Sequence, residues 1–181
     1  MPPLNIDEDE YYKDLSDLLL NEFLIYKKIF RGQSQIVGAI AESIIKKFFK
    51  DKYNIEFIKG FILSNCRDQN NKSIKSVITN ECDAILVTRH IKILAKFDDF
   101  AIIDKRGAPS RLVVFEIKAN VNCVKDKDKK NNEILEKMGA YSGLIAFEGN
   151  RSKISGYSNN VFIISNPTDL KKLVSEVRMN K

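Results

Sequence analysis

Between residues 112 and 121 the chain runs Val113-Val114-Phe115-Glu116-Ile117-Lys118-Ala119, two charges set inside an otherwise apolar stretch. Composition and flanks predict a β-strand over 112–121. Strand residues two apart face the same side, about 7 Å apart, so Glu116 and Lys118 project together. Burying a charge is costly unless it is paired or bound to a metal. A fold must therefore place this strand at a sheet edge, with the pair in solvent, or build a polar site around it. Asp83 poses the same problem where it opens the run Glu81-Cys82-Asp83-Ala84-Ile85-Leu86-Val87. Strict alternation puts Cys82, Ala84 and Leu86 on one face of that strand and Asp83, Ile85 and Val87 on the other.

The remaining pattern supplies elements to surround these strands. Residues 10–31, rich in Leu, Phe and Tyr, read as a helix packed on the body, punctuated by Gly32. Ser34 can cap a second helix running to residue 51, with Val37, Ile40, Ala41, Ile44 and Phe48 as its buried stripe. Glu42 lies off the centre of that stripe, beside Ile45 and Phe49, and Gly38 one turn earlier leaves room beside the carboxylate. A strand over 55–63, a polar loop over 64–80, a hairpin from 91–94 and 100–103, and a turn at Arg106-Gly107-Ala108-Pro109 follow. After the charged strand come a lysine-rich helix over 125–138, strands at 144–147 and 161–165, and a last helix with Asn166 as cap and Pro167 at its first position. The order is that of an α/β fold, a mixed central sheet flanked by helices. At 181 residues, without internal repeat or Pro/Gly/Ser linker, the chain is expected to form one domain. Residues 1–31 would be an acidic helical extension and 32–181 the core.

Composition removes several chemistries. His90, the single histidine, reads as a surface or strand-end residue; one is too few for zinc proteases, and Ser64, Ser73 and Ser76 have no base beside them, so serine hydrolase chemistry is not expected. Cys66, Cys82 and Cys123 are odd in number, widely spaced and without a C-x-x-C, so neither a disulfide framework nor structural zinc is expected. Cys82 and Cys123 read as small buried residues. There is no Walker-type loop. No apolar run reaches the roughly 18–20 residues of a membrane span, and the N-terminus lacks the basic start and apolar core of a signal peptide, so a cytoplasmic protein is expected. Charge is unevenly spread. Residues 1–26 carry seven acids and one base, leaving the rest at +12 within an overall +6. A basic body suits a polyanionic partner, nucleic acid first.

Taken together, a helical Glu42 after Gly38, the strand Lys59-Gly60-Phe61-Ile62, Asp83 in Glu81-Cys82-Asp83-Ala84-Ile85-Leu86, and Val114-Phe115-Glu116-Ile117-Lys118-Ala119-Asn120 resemble the PD-(D/E)XK superfamily of restriction-endonuclease-like nucleases. The pattern is most similar to small bacterial and phage domains of that group. It spans residues 31–121 by motif and the later elements by topology only. Cys82 stands where the superfamily's naming proline would be, and 32 residues separate Asp83 from Glu116, a long connection for this fold. No downstream Gln or Lys motif is legible: Lys127, Lys130, Asn131 and Lys137 all qualify.

The resemblance implies a metal-dependent nuclease, acting on DNA in preference to RNA. Asp83 and Glu116 would hold Mg²⁺, or Mn²⁺ as its substitute, with the Ile117 carbonyl as a third ligand and Glu42 on a second ion or reaching the first through water. Lys118, whose ordinary pKa is about 10.4, would act as an electrostatic and orienting group rather than as a base. Lys46, Lys50, Lys59, Arg67, Lys72 and Lys75 would contact the phosphate backbone. Cutting both strands needs two sites, which suits a homodimer. The alternative is a catalytically silent nucleic-acid-binding or protein-interaction module on the same fold, with the acidic N-terminal helix as docking surface for a regulatory partner. A third expectation is that this helix inhibits the site by mimicking phosphate charge.

Overall fold

The computed structural model describes residues 7–67, 74–88, 90–98, 100–106, 112–154 and 160–181. Two helices lead the chain, α1 (Glu8–Ile29) and α2 (Ser34–Tyr53). Six strands follow: β1 (Phe57–Arg67), β2 (Ile74–Ile78), β3 (Cys82–Leu86), β4 (Lys92–Phe97), β5 (Phe100–Asp104) and β6 (Val113–Asn120). Then come α3 (Asp126–Lys137), β7 (Tyr141–Glu148), β8 (Val161–Ile163) and α4 (Pro167–Met179). Asp7 caps α1 by accepting the Asp9 amide at 2.9 Å, and the acidic first turn and basic last turn suit its macrodipole. Asn166 caps α4 as expected, with Pro167 behind it. Ser34 instead is the first helical residue of α2, preceded by Gln33 without a side-chain cap.

All eight strands join one mixed sheet in the order β4-β5-β1-β3-β6-β7-β8, with β2 paired to the outer length of β1. The parallel pairs are β1–β5, β6–β7 and β7–β8. Lying between β3 and β6's other neighbour β7, strand β6 is interior, so Glu116 and Lys118 are not an edge-strand ion pair. The expected loop over 64–80 is largely a ribbon of β1 and β2, from Leu63↔Ile78 to Arg67↔Ile74. The apolar positions 74, 77 and 78 of β2 do not alternate, so no period-two pattern marks the strand. Its Ser76 hydroxyl donates to Asn65 across the strands at 3.1 Å. Lys72 and positions 107–109 of the expected turn lie outside the described residues, as do the side chains of Arg67 and Lys75.

One face of the sheet packs on α1, α2 and α4 through Phe23, Phe49, Phe57, Phe115, Ile145 and Phe147. Ile45 and Phe49 are fully buried, so the α2 stripe is wider than its periodicity suggested. The other face packs Ile58, Ile62, Ile85 and Val114 against Leu135 of α3. Here β3 departs from alternation. Cys82 clusters with Ile85, whereas Ala84 and Leu86 face the opposite core. The register explains it: Ile58 pairs with Ile85 but Gly60 with Cys82, so β3 holds one more residue than β1 across that interval. Such a bulge re-aims side chains locally, and Asp83 sits in it.

Gly60 marks the same spot. A Cβ there would lie 1.8 Å from the Ala101 carbonyl oxygen of β5, a backbone atom with nowhere to go. At Gly38 a Cβ would meet nothing within 4 Å, so this glycine leaves no room that the site needs. We expect Gly60→Ala to cost roughly 3 kcal/mol through forced backbone displacement. Gly38→Ala should gain about 0.5–1 kcal/mol from helix propensity. Thermal unfolding checks both, and a stable Gly60→Ala would contradict the close β1–β5 approach.

Candidate active site

Past the Ala84↔Phe115 pair the β3–β6 ladder stops and the strands part. The Asp83 carboxylate takes over, accepting the Ile117 amide at 2.9 Å. Phe115 and Ile117 turn into the core under α1, α2 and α4. Glu116 and Lys118 turn the other way, toward α3, where Lys118 meets Asp128 at 3.6 Å. The result is a cleft of about 490 Å³ lined by residues of α2, β1, β3, β6 and α3.

Four expected residues meet there: Glu42, Asp83, Glu116 and Lys118. Lys118 donates to Glu116 and lies 4.0 Å from Asp83. Lys59, expected on the nucleic-acid track, is in the cleft itself, bridging Glu42 at 3.2 Å and Glu81 at 3.0 Å. Ile117 enters the site through its backbone. Lys46 and Lys50 line an adjoining groove of about 490 Å³ that shares Glu42 and Lys59 with the cleft.

The helix after β6 contributes what the sequence did not reveal. Asp128 is 5% exposed, holds the Lys125 amide at 2.7 Å at the start of α3, and turns its other oxygen to Lys118. Asn131 accepts the Asn80 amide at 3.0 Å and offers its amide to the Cys82 sulfur, fixing the approach to Asp83. Asn131 and Lys127 line the cleft, whereas Lys130 and Lys137 do not. The signal was available: a helix with few apolar residues must bury polar ones, and Asp128, Asn131, Asn132 and Leu135 share one helical face.

Five carboxylates (Glu42, Glu81, Asp83, Glu116, Asp128) face three ammonium groups (Lys59, Lys118, Lys127), a formal excess of two negative charges. Burial, then the Asp83 charge, pushes Glu116 up to about 8, against the pull of Lys118. Glu42 is raised by the same two causes, opposed by Lys59. Burial works to lower Lys118, yet Glu116, then Asp83 and Asp128, outweigh it and hold the lysine above its ordinary value. Lys118 thus stays charged, as an electrostatic role requires. Cys82, buried as expected, is pushed up to about 12 by that burial, an unreactive thiol. Cys123 is exposed, contrary to expectation, because the 3-10 turn at 121–123 buries only Val121. His90 is exposed just before β4, in line with the strand-end reading.

Oxygen donors in this number suit a hard cation in kind, and the surplus charge suits it in sign. Among the described residues, however, no three carboxylate, thiolate or imidazole groups are set to hold an ion. Lys59 and Lys118 engage the carboxylates instead. No residue of α1 lines the cleft, and its Glu8 and Asp9 pair with Lys171 of α4, so the helix does not sit over the site as a phosphate mimic.

No protein-family profile matches the chain, and no curated protein matches it. Solved structures share its fold, two of them NucC proteins. NucC of E. coli MS115-1, in its cAAA-bound form, superposes with a TM-score of 0.63 over 99% of this chain and 93% of its own, at 11% identity. NucC of P. aeruginosa ATCC27853, also cAAA-bound, gives 0.63 over 97% and 92%, again at 11% identity. Likeness of this extent shows a restriction-endonuclease-like fold.

The raised Glu116 has a consequence for stability. Its folded value, about 8, exceeds its ordinary 4.5, so the folded chain binds the extra proton between them and loses stability as pH rises through that window. Glu116→Gln, uncharged throughout, should match the wild type in melting temperature near the lower limit and exceed it by several degrees at the upper one. A variant less stable than wild type at the upper limit would contradict the charge reading.

Proposed function

We propose that the cleft hydrolyses phosphodiester bonds in nucleic acid, DNA in preference to RNA, with Mg²⁺ or Mn²⁺ as cofactor. The observation that carries the reading is charge. A chain of net +6 gathers five carboxylates, a formal excess of two over the lysines beside them, where its fold brings Glu42, Asp83, Glu116 and Lys118 together. A phosphate backbone is repelled by such a cleft unless a divalent cation offsets it.

Asp83, Glu116 and the Ile117 carbonyl would hold the cation, with Glu42 on a second ion or on the first through water. When bound, a cation supplies Lewis acidity to a phosphoryl oxygen and acidifies water. Asp83 keeps β3 and β6 parted by holding the Ile117 amide, which leaves the space where phosphate enters. Lys118, held protonated by its carboxylate neighbours, orients the attacking water and stabilises charge growing on the phosphate. Lys46 and Lys50 on the adjoining groove steer the backbone without reading sequence. The restriction-endonuclease-like fold supports the reaction class; DNA over RNA rests on the motif resemblance. A second reading, a silent binding module, is favoured by one observation: Lys59 and Lys118 already pair with Glu42 and Glu116 in place.

Labelled single- and double-stranded DNA and RNA, incubated with Mg²⁺, Mn²⁺ or EDTA, test the proposal. Cleavage should need the metal and prefer DNA, and Asp83→Ala, Glu116→Ala or Lys118→Ala should each slow it by about 10²–10³-fold. Mn²⁺ should also raise the melting temperature more at pH 8 than in mild acid, because Glu116 and Glu42 must shed their protons first. Nucleic-acid binding with no cleavage and no metal-induced shift would establish the silent module.

A further inference from the structure

Helix α1 is amphipathic twice over. Its inner face buries Tyr12, Leu15, Leu19 and Phe23. On the outer face Leu18 (63%), Ile25 (59%) and Ile29 (63%) are largely exposed, spaced by seven and four residues and hence in line along one side of the helix. Six of the eleven large apolar side chains exposed among the described residues fall between Leu18 and Ile36. A line of aliphatic side chains on a rigid helix of 22 residues is a contact surface rather than scattered exposure.

The flanking charges say what covers it. The half before the stripe's centre carries Glu10, Asp14 and Asp17 against Lys13, and the half after it carries Lys27, Lys28 and Arg31 against Glu22. Helix-dipole effects fade within the first and last turns, so they do not account for Asp14 and Asp17. Among the described residues neither Asp14 nor Lys28 has an ion-pair partner within the chain. We propose that α1 pairs antiparallel with α1 of a second copy about a two-fold axis between Asn21 and Glu22. Leu18 of one copy then lies beside Ile25 of the other, and Asp14 beside Lys28, twice over by symmetry. A parallel pairing would set acid against acid and base against base. The acids beside the first half of the stripe also argue against an anionic lipid surface. The proposal does not depend on the activity of the cleft.

Sedimentation velocity and light scattering on the full chain, across a dilution series, test it. The expected species has twice the chain mass of 20.7 kDa and dissociates on dilution. Leu18→Glu, at an exposed position, should leave the melting temperature of the monomer unchanged and give monomer throughout. Asp14→Lys and Lys28→Glu should each weaken association roughly tenfold, and the double variant should restore it, since both cross-axis pairs are then reversed. A monomer at every concentration overturns the proposal. So does an oligomer that Leu18→Glu leaves intact, or a double variant no tighter than either single one.

Discussion

The hydrogen bond from the Ile117 amide to Asp83 replaces a ladder contact exactly where two central strands would otherwise continue side by side. Without that carboxylate a buried amide would lose its partner, at about 1–3 kcal/mol. With it, β3 and β6 diverge, and the space between them is wide enough for a polar cleft within the sheet's layers. The rest follows from the divergence. Glu116 and Lys118 turn away from the aromatic core, α3 brings Asp128 to meet them, and the β3 bulge opposite Gly60 sets Asp83 at the mouth.

Much of this was legible from sequence for physical reasons, and what was not has a reason too. Buried charge in an apolar strand is rare enough to mark Glu116, Lys118 and Asp83 at once, and α2 places Glu42 by its helical period. The fold class followed from strands and helices whose periodicities were distinct. The β1–β2 ribbon is hidden because the apolar positions of β2 do not alternate. Lys59 reads from sequence as a phosphate contact, because its spacing says nothing of Glu42 and Glu81, which capture it. Asp128 is hidden in a helix whose charge looks solvated, although its polar residues form the buried face, and Asn131 is one of four candidates there that sequence alone does not rank. Cys82 misled by alternation, since a bulge is a relation between two strands and one strand's sequence does not carry it.

The electrostatics divide the molecule into regions with opposite tasks. The body is basic, which draws polyanions from a distance. The cleft is net negative and partly desolvated, which raises Glu42 and Glu116 and holds Lys118 charged. Such an arrangement is costly in an isolated fold and becomes favourable when a counter-charge arrives. Cation and anion are thereby kept on different surfaces, with Lys46 and Lys50 on the groove and the carboxylates within the cleft.

Helices α1 and α4 pack on each other, and Lys171 of α4 reaches Glu8 and Asp9 at the opening of α1. These are the first and last elements of the described chain, and both bury side chains in the core that backs β6. During synthesis α1 emerges well before α4, so the part of its inner face that α4 packs stays uncovered until then. The cleft's residues, all made in between, stand on a sheet whose backing is completed only then. The order of translation therefore acts as a timer: a partly made chain holds every group of the site and lacks the support that fixes them in place.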